Sequence, residues 1–80
     1  MIPITSPTML GKVLRQYRKE IGLTQSAAAR KFNQTQKSIS NMESGLPGVR
    51  LSTVFKYMST LGLEMHLESR TKSSGKEIIW

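Results

Sequence analysis

Two short helical segments separated by one asparagine, within residues 23–43, constrain this sequence more than any other feature. Thr24 precedes the first segment and is expected to cap it, because a threonine hydroxyl accepts a hydrogen bond from a free backbone N–H at a helix start. Asn33 follows that segment, and asparagine tolerates the left-handed conformation that a sharp turn between helices needs. Thr35 is then placed to cap the second segment. The pattern predicts a helix-turn-helix.

The apolar residues of this segment lie on one face of each predicted helix. Ala29 is small enough to let the second helix cross closely over the first. The sequence therefore predicts that these residues belong to the core: Ala28, Ala29, Phe32, Ile39 and Met42.

The opposite face of the second helix indicates a function. It carries short polar side chains and few carboxylates, namely Thr35, Gln36, Lys37, Ser38, Ser40 and Asn41. A helix that faces only solvent usually carries more Glu and Lys, because Ser, Thr and Asn are poor helix formers. Side chains of this kind hydrogen-bond to base edges and phosphates. We therefore expect DNA binding, and the simpler alternative is an arbitrary polar surface on two packed helices.

The charge of the chain agrees with a polyanionic partner. Twelve Lys and Arg against five Asp and Glu give a net charge of +7 and a predicted pI of 10.3. A basic protein also suits an anionic membrane surface, but the sequence has no Lys-rich amphipathic stretch and no apolar run of about 20 residues. We expect no membrane partner, and a start without a basic or apolar signal segment favours a cytoplasmic location.

The residue inventory argues against an enzyme. The chain has one His, no Cys, no Asp and five scattered Glu. Neither a catalytic triad nor a metal cluster can be assembled from these residues in one chain. We expect no catalytic residues, no metal and no cofactor.

A first helix is predicted over residues 7–21, after an arm formed by residues 1–5. Ser6-Pro7 is a start signal, and Gly22 is a typical end. Its apolar stripe is Leu10, Val13, Leu14, Tyr17 and Ile21. On the opposite face, we expect Lys12 and Arg15 to be solvated, and Arg18 and Lys19 to be within reach of phosphate.

A last helix follows the loop at residues 44–48 and ends at Gly62. Its apolar stripe is expected to pack on the first helix and consists of Leu51, Val54, Phe55, Met58 and Leu61. The predicted fold is mainly α, a small bundle of four to five helices with the fifth a short turn near Leu46.

The hydrophobic period then changes from helical to alternating. Leu63, Met65 and Leu67 alternate with polar residues over residues 63–68, which predicts a short, half-buried β-strand. A single strand is not stable without a partner. We expect it to pair antiparallel with the same strand of a second copy, across a two-fold axis. His66, on the polar side, is expected to be an ordinary exposed or interface residue.

The predicted organisation is a domain over residues 6–68 and a flexible tail over residues 69–80. The tail is polar until its last three residues, Ile78-Ile79-Trp80. Apolar residues at such an end are typical of a short motif that binds another protein. The alternative, that this end packs on its own domain, is left open.

The chain resembles the Cro/repressor-type helix-turn-helix family, and within it the HipB antitoxins that accompany HipA-type kinases. The likeness covers about residues 5–68, and the tail matches only in character. Asn33 and Gln34 depart from the family, in which Gly and an apolar residue are usual, so we expect a looser turn or a partly exposed Gln34. The matching motifs are Ser6-Pro7-Thr8, Thr24-Gln25-Ser26, Ala29-Arg30-Lys31, Ile39-Ser40-Asn41 with Glu43, residues 51–56, Leu61-Gly62-Leu63-Glu64-Met65 and Trp80.

The resemblance implies a homodimeric repressor that binds an inverted-repeat operator, controls its own operon and binds a HipA-like kinase toxin, with Trp80 as a partner-binding residue. The half-sites would lie about 34 Å apart. The alternatives are a stand-alone phage-type repressor without a toxin and a nonspecific nucleoid-type binder. We expect base contacts from Thr35, Gln36, Lys37 and Ser40, and phosphate contacts from Gln25, Arg30, Ser38 and Asn41.

Overall fold

A computed structural model describes residues 3–69, and four α-helices account for most of them. They are α1 (Pro7–Glu20), α2 (Gln25–Phe32), α3 (Gln36–Glu43) and α4 (Leu51–Thr60). The prediction of a mainly helical bundle is confirmed. Within the described range the segment around Leu46 forms turns, so the fold has four helices there and not five.

The helix starts and the inter-helix turn form as the sequence predicts. The hydroxyls of Ser6, Thr24 and Thr35 each accept a hydrogen bond from the backbone N–H three residues later, at 3.0–3.1 Å. Asn33 has a φ of 59° and a ψ of 43°, which is the left-handed conformation. The backbone N–H of Gln34 donates to the carbonyl of Ala29 at 2.9 Å, and the Gln34 side chain is exposed. The turn therefore closes without glycine.

The core lies between α3 and its neighbours. α3 packs against both α1 and α2, and α4 packs mainly against α2. The prediction that α4 packs mainly on the first helix is therefore wrong, because its main partner is α2. Three side chains are almost completely buried, Leu14, Ile39 and Tyr57, and the cluster also contains Ala28, Ala29, Phe32, Met42, Val54, Met58 and Leu61.

Four residues assigned to the apolar stripes are more exposed than predicted. The buried face of α4 follows the spacing i, i+3, i+4 and i+7 from Val54, and this spacing includes Tyr57. Leu51 and Phe55 therefore fall at the edge of that face. On α1 the inward position one turn beyond Leu14 is occupied by Arg18. The exposed residues are Tyr17 (41%), Ile21 (48%), Leu51 (61%) and Phe55 (45%).

At Gly11, α1 passes close to the C-terminal end of α3. A Cβ atom at this position would collide with the backbone carbonyl of Glu43. Ala29 on α2 is buried, as predicted. The absence of a side chain at Gly11, which the apolar spacing did not predict, allows α1 and α3 to meet.

Residues 63–69 leave α4 without regular secondary structure in the described chain. Leu63 packs against the core, while Met65 is 40% and Leu67 is 90% exposed. Nε2 of His66 lies 2.8 Å from Oε2 of Glu64, two residues away, as side chains on the same side of an extended backbone do. A lone copy offers this segment no second strand, so the strand pairing stays a prediction.

Among the described residues, none of the helices has the length and apolar character needed to cross a membrane.

Candidate nucleic-acid interface

The outward face of α3 brings the four predicted base-contact residues together. Thr35 is the N-cap, Gln36 and Lys37 form the first turn, and Ser40 follows one turn later. All four are exposed, whereas Ile39 and Met42 on the opposite face are buried. The polar surface therefore lies on a helix whose other face is anchored in the core.

The first turn of α2 contacts this surface directly. The hydroxyl of Ser26 donates a hydrogen bond of 3.0 Å to the side-chain oxygen Oε1 of Gln36. Both residues are exposed, at the starts of α2 and α3. The sequence does not reveal this contact, because the two residues are ten positions apart and separated by the turn.

The predicted phosphate-contact residues differ in their exposure to solvent. Arg30 is exposed on α2, and Ser38 and Asn41 are half-buried on α3. Gln25 is half-buried, and its Nε2 donates to Oε1 of Glu43 at 3.2 Å. The second hydrogen of that amide nitrogen is still available, since a side-chain amide carries two donors.

A buried polar cluster, composed of Arg18, Gln25, Glu43 and Tyr57, lies behind the helix-turn-helix. Nε and Nη2 of Arg18 donate to Oε2 and Oε1 of Glu43 at 2.6 and 3.0 Å, which is a bidentate ion pair. The hydroxyl of Tyr57 donates to Oε2 of Glu43 at 2.7 Å. Nη1 of Arg18 donates to the carbonyl of Leu23 at 2.7 Å. The cluster thus joins all four helices around one carboxylate.

The electrostatics of the buried cluster favour a charged pair. Burial by itself raises the pKa of Glu43, but the hydrogen bonds from Arg18, Tyr57 and Gln25 and the charge of Arg18 bring that pKa below its usual value. The hydrogen bond to Glu43 raises the pKa of Arg18. Burial and the hydrogen bond to Glu43 raise the pKa of Tyr57. The ring of Tyr57 also packs on Phe32 at a centroid distance of 5.3 Å.

The prediction that Arg18 reaches phosphate is wrong. Only 5% of Arg18 is exposed, and its guanidinium is held by Glu43 and the carbonyl of Leu23. The sequence contained a signal for this pair: Arg18 continues the spacing of Gly11 and Leu14, and Glu43 continues that of Ile39. A charged residue at an inward position of each of two helices indicates a buried partner.

Among residues 3–69, no group of three or more His, Cys, Asp or Glu side chains is arranged to hold a metal ion. His66 is exposed beside Glu64, as expected of an ordinary surface residue. The chemistry that the described surface offers is hydrogen bonding and positive charge.

Comparison with known proteins agrees with this geometry. The family model described as "Helix-turn-helix", HTH_3, matches residues 14–67. The Antitoxin HipB of Escherichia coli strain K12 is 39% identical over 64 residues, which cover 80% of this chain and 73% of that protein. The Antitoxin HipB of Escherichia coli O6:H1 is also 39% identical over 64 residues, or 68% of its length.

Solved structures share the fold along the full length of their chains. A chain of a HipA-HipB-O2-O3 complex superposes with a TM-score of 0.81 at 35% identity, covering 89% of this chain and 100% of that one. A chain of a HipB-O4 20mer complex gives the same values. The helix-turn-helix and antitoxin families are not enzyme families. The chain belongs to the helix-turn-helix family and, within it, to the HipB antitoxins.

Proposed function

We propose that this protein is a dimeric, sequence-specific DNA-binding repressor that controls its own operon as the antitoxin of a HipA-like kinase. The observation that carries the proposal is the exposed polar face at the start of α3, on a helix anchored in the core of a chain with a net charge of +7. Relatives of this chain have been solved in complexes with HipA and with O2, O3 and O4. Such a repressor would act in the cytoplasm.

Base recognition is assigned to the start and outer face of α3. Gln36 can bind adenine through two hydrogen bonds in the major groove, and Lys37 can donate to guanine or to phosphate. The Thr35 hydroxyl accepts from the backbone N–H of Ser38 and retains its own hydrogen for a base or a phosphate. With Ser40, these side chains lie at the start and on the outer face of a single α-helix, an element that a major groove admits.

Phosphate contacts are assigned to Gln25, Arg30, Ser38 and Asn41, which flank that surface. Gln25 opens α2, and a helix start favours a negative group because its backbone N–H groups are free and its dipole is positive there. The buried cluster fixes the Gln25 side chain at this point. Such contacts set the orientation on DNA without selecting a sequence.

The dimer is assigned to residues 63–68. Leu63 is already fixed against the core, while Met65 and Leu67 present apolar side chains to solvent in a single copy. Antiparallel pairing with the same segment of a second copy would satisfy the backbone and cover both residues. A two-fold axis at this strand would match the inverted repeat of the operator.

The proposed domain is residues 6–68. The proposed tail, residues 69–80, lies almost entirely outside the described residues, and so does Trp80. A Trp side chain can bury about 200 Å² in a partner's pocket. We assign Trp80 to binding of the HipA-like kinase; a repressor without a toxin would not need it.

Gln36→Ala is expected to weaken binding to the DNA upstream of this protein's own reading frame by about 1–3 kcal/mol and to relax the preference at one base pair per half-site. The cause is the loss of the amide that contacts the base edge. Titration of a labelled duplex by fluorescence anisotropy, with competition by its single-base variants and by unrelated DNA, measures both effects.

Arg30→Ala and Lys37→Ala are the comparisons. Arg30→Ala should weaken binding to all DNA sequences similarly and reduce the salt dependence of the binding constant by the equivalent of about one phosphate contact. Lys37→Ala does the same if Lys37 touches phosphate. If Gln36→Ala binds this DNA as tightly as the wild-type protein does, α3 is docked in another register. If the wild-type protein binds unrelated DNA equally well, the nucleoid-type alternative is favoured.

Removal of Ile78-Ile79-Trp80 is expected to weaken binding to the purified HipA-like kinase and to leave operator affinity unchanged. The reason is that the three residues follow a polar sequence, residues 69–77, and are distant in sequence from the helix-turn-helix that is proposed to contact the operator. Isothermal titration with the kinase and anisotropy with the operator test both halves. Unchanged kinase affinity would remove Trp80 from the interface, and lost operator affinity would place it in the folded domain.

A further inference from the structure

We propose that Ser26 is a positioning residue for base recognition, which holds the Gln36 side chain in the orientation that contacts DNA. The inference rests on the proposed DNA-binding function and adds a specificity role for a residue outside α3. It is carried by one contact, the hydrogen bond of 3.0 Å from the Ser26 hydroxyl to Oε1 of Gln36.

The contact is not needed for the fold. Both side chains are exposed, so water replaces the hydrogen bond at little cost if it is lost. The connection between α2 and α3 is already determined by the Thr24 and Thr35 caps and by the left-handed Asn33. The contact between Ser26 and Gln36 therefore has its main effect on the orientation of the glutamine.

The direction of the hydrogen bond determines which atoms of Gln36 remain for DNA. Ser26 occupies one lone pair of Oε1, while Nε2 has no hydrogen-bond partner within residues 3–69. Two N–H donors and one lone pair of Oε1 are left. That set matches the purine edge in the major groove, where Nε2 donates to N7 and Oε1 accepts from N6 of adenine.

Fixing the amide before binding also reduces the entropy that is lost on binding. A free glutamine side chain has three rotatable bonds and presents its oxygen and nitrogen interchangeably. A side chain already held by Ser26 needs less ordering at the interface, and inversion of its amide would require the Ser26 hydroxyl to change from donor to acceptor. Ser26 should therefore affect both affinity and the choice of base, through Gln36.

A double-mutant cycle tests this coupling. Wild type, Ser26→Ala, Gln36→Ala and the double variant are titrated with the duplex from upstream of the reading frame. Each is also titrated with variant duplexes, which differ at the base pair where Gln36→Ala relaxes the preference. In one the base pair is exchanged for another, and in the other its purine is replaced by the 7-deaza analogue. Ser59→Ala, an exposed serine on α4, is the matched control, and Ser26→Thr keeps the hydroxyl.

Ser26→Ala is expected to weaken binding by about 2- to 10-fold and to lower discrimination at that one base pair. In the Gln36→Ala background the same substitution should have no further effect, and on the 7-deaza duplex, which keeps only the N6 contact, its effect should be smaller. Ser26→Thr should retain discrimination, and Ser59→Ala should bind as wild type.

Two results would overturn the proposal while the DNA-binding function stands. An equal loss from Ser26→Ala with and without Gln36 would make Ser26 an independent phosphate contact. If Ser26→Ala discriminates between bases at that base pair as well as wild type does, Gln36 does not need the hydrogen bond from Ser26. If wild type itself shows no preference among the duplexes, the proposed function fails and this inference fails with it.

Discussion

Replacing Arg18 with alanine is expected to lower the free energy of unfolding by about 3–5 kcal/mol. The substitution leaves the Glu43 carboxylate in a site where it is 7% exposed, with only Tyr57 and Gln25 as donors. A buried charge without its counter-charge loses most of the interaction that offsets its desolvation. The stability of a small domain is about 5–15 kcal/mol, so this is a large fraction of it.

Arg15→Ala is the control, because Arg15 lies on the same helix with an exposed side chain. Its expected effect is within about 0.5 kcal/mol. Urea unfolding followed by circular dichroism, at one protein concentration for all variants, measures the difference. If Arg18→Ala were as stable as Arg15→Ala, the bidentate ion pair would not be what joins the helices.

Truncation after Gly62 is expected to abolish the dimer and to destabilise the remaining chain. It removes the proposed pairing strand and also the packing of Leu63 against the core. Below about 80 residues a single core supplies little stability, so a copy without this support is expected to be monomeric or unfolded. Sedimentation velocity at micromolar concentration distinguishes these states from a dimer.

A truncation after Glu68 is the matched control, because it keeps the proposed strand and lacks the tail; it should remain dimeric. Leu67→Lys separates dimerisation from folding, since Leu67 is 90% exposed in a single copy and its replacement removes no contact with the core. It should give folded monomers. A tight dimer of Leu67→Lys or of the chain ending at Gly62 would place the interface on the helices.

Features determined within a few residues could be predicted from the sequence. Each cap involves a hydroxyl and an N–H three positions away, and the turn depends on the backbone preference of Asn33. The periodicity of Ile39 and Met42 identified the buried face of α3, and thereby the exposed one. The helix-turn-helix and its polar surface followed from local chemistry.

Features that depend on distant residues were missed. Arg18 and Glu43 are 25 positions apart, and each alone is typical of a solvated helix face. Tyr57 enters the core because its hydroxyl finds Glu43, a partner on another helix. The exposure of Leu51 and Phe55 depends on the angle at which α4 meets α2, which hydrophobic periodicity does not determine.

The candidate site shows the same division. The four predicted base-contact residues lie at the start and on the outer face of α3 and were grouped correctly on one exposed surface, whereas the contacts from α2 to this surface and to the buried polar cluster were not predicted. Helix periodicity assigns residues to a face, but the neighbours of that face depend on how two helices pack.

Docking of α3 in the major groove is tested by methylation protection of the DNA upstream of this protein's own reading frame. Dimethyl sulfate modifies guanine N7 in the major groove, where α3 is proposed to lie. We expect two protected half-sites related by a two-fold axis, with centres about 34 Å apart, and weaker protection of both half-sites in Gln36→Ala at the same protein concentration. Uniform protection along the duplex, or full reactivity of major-groove guanines in a bound complex, would contradict it.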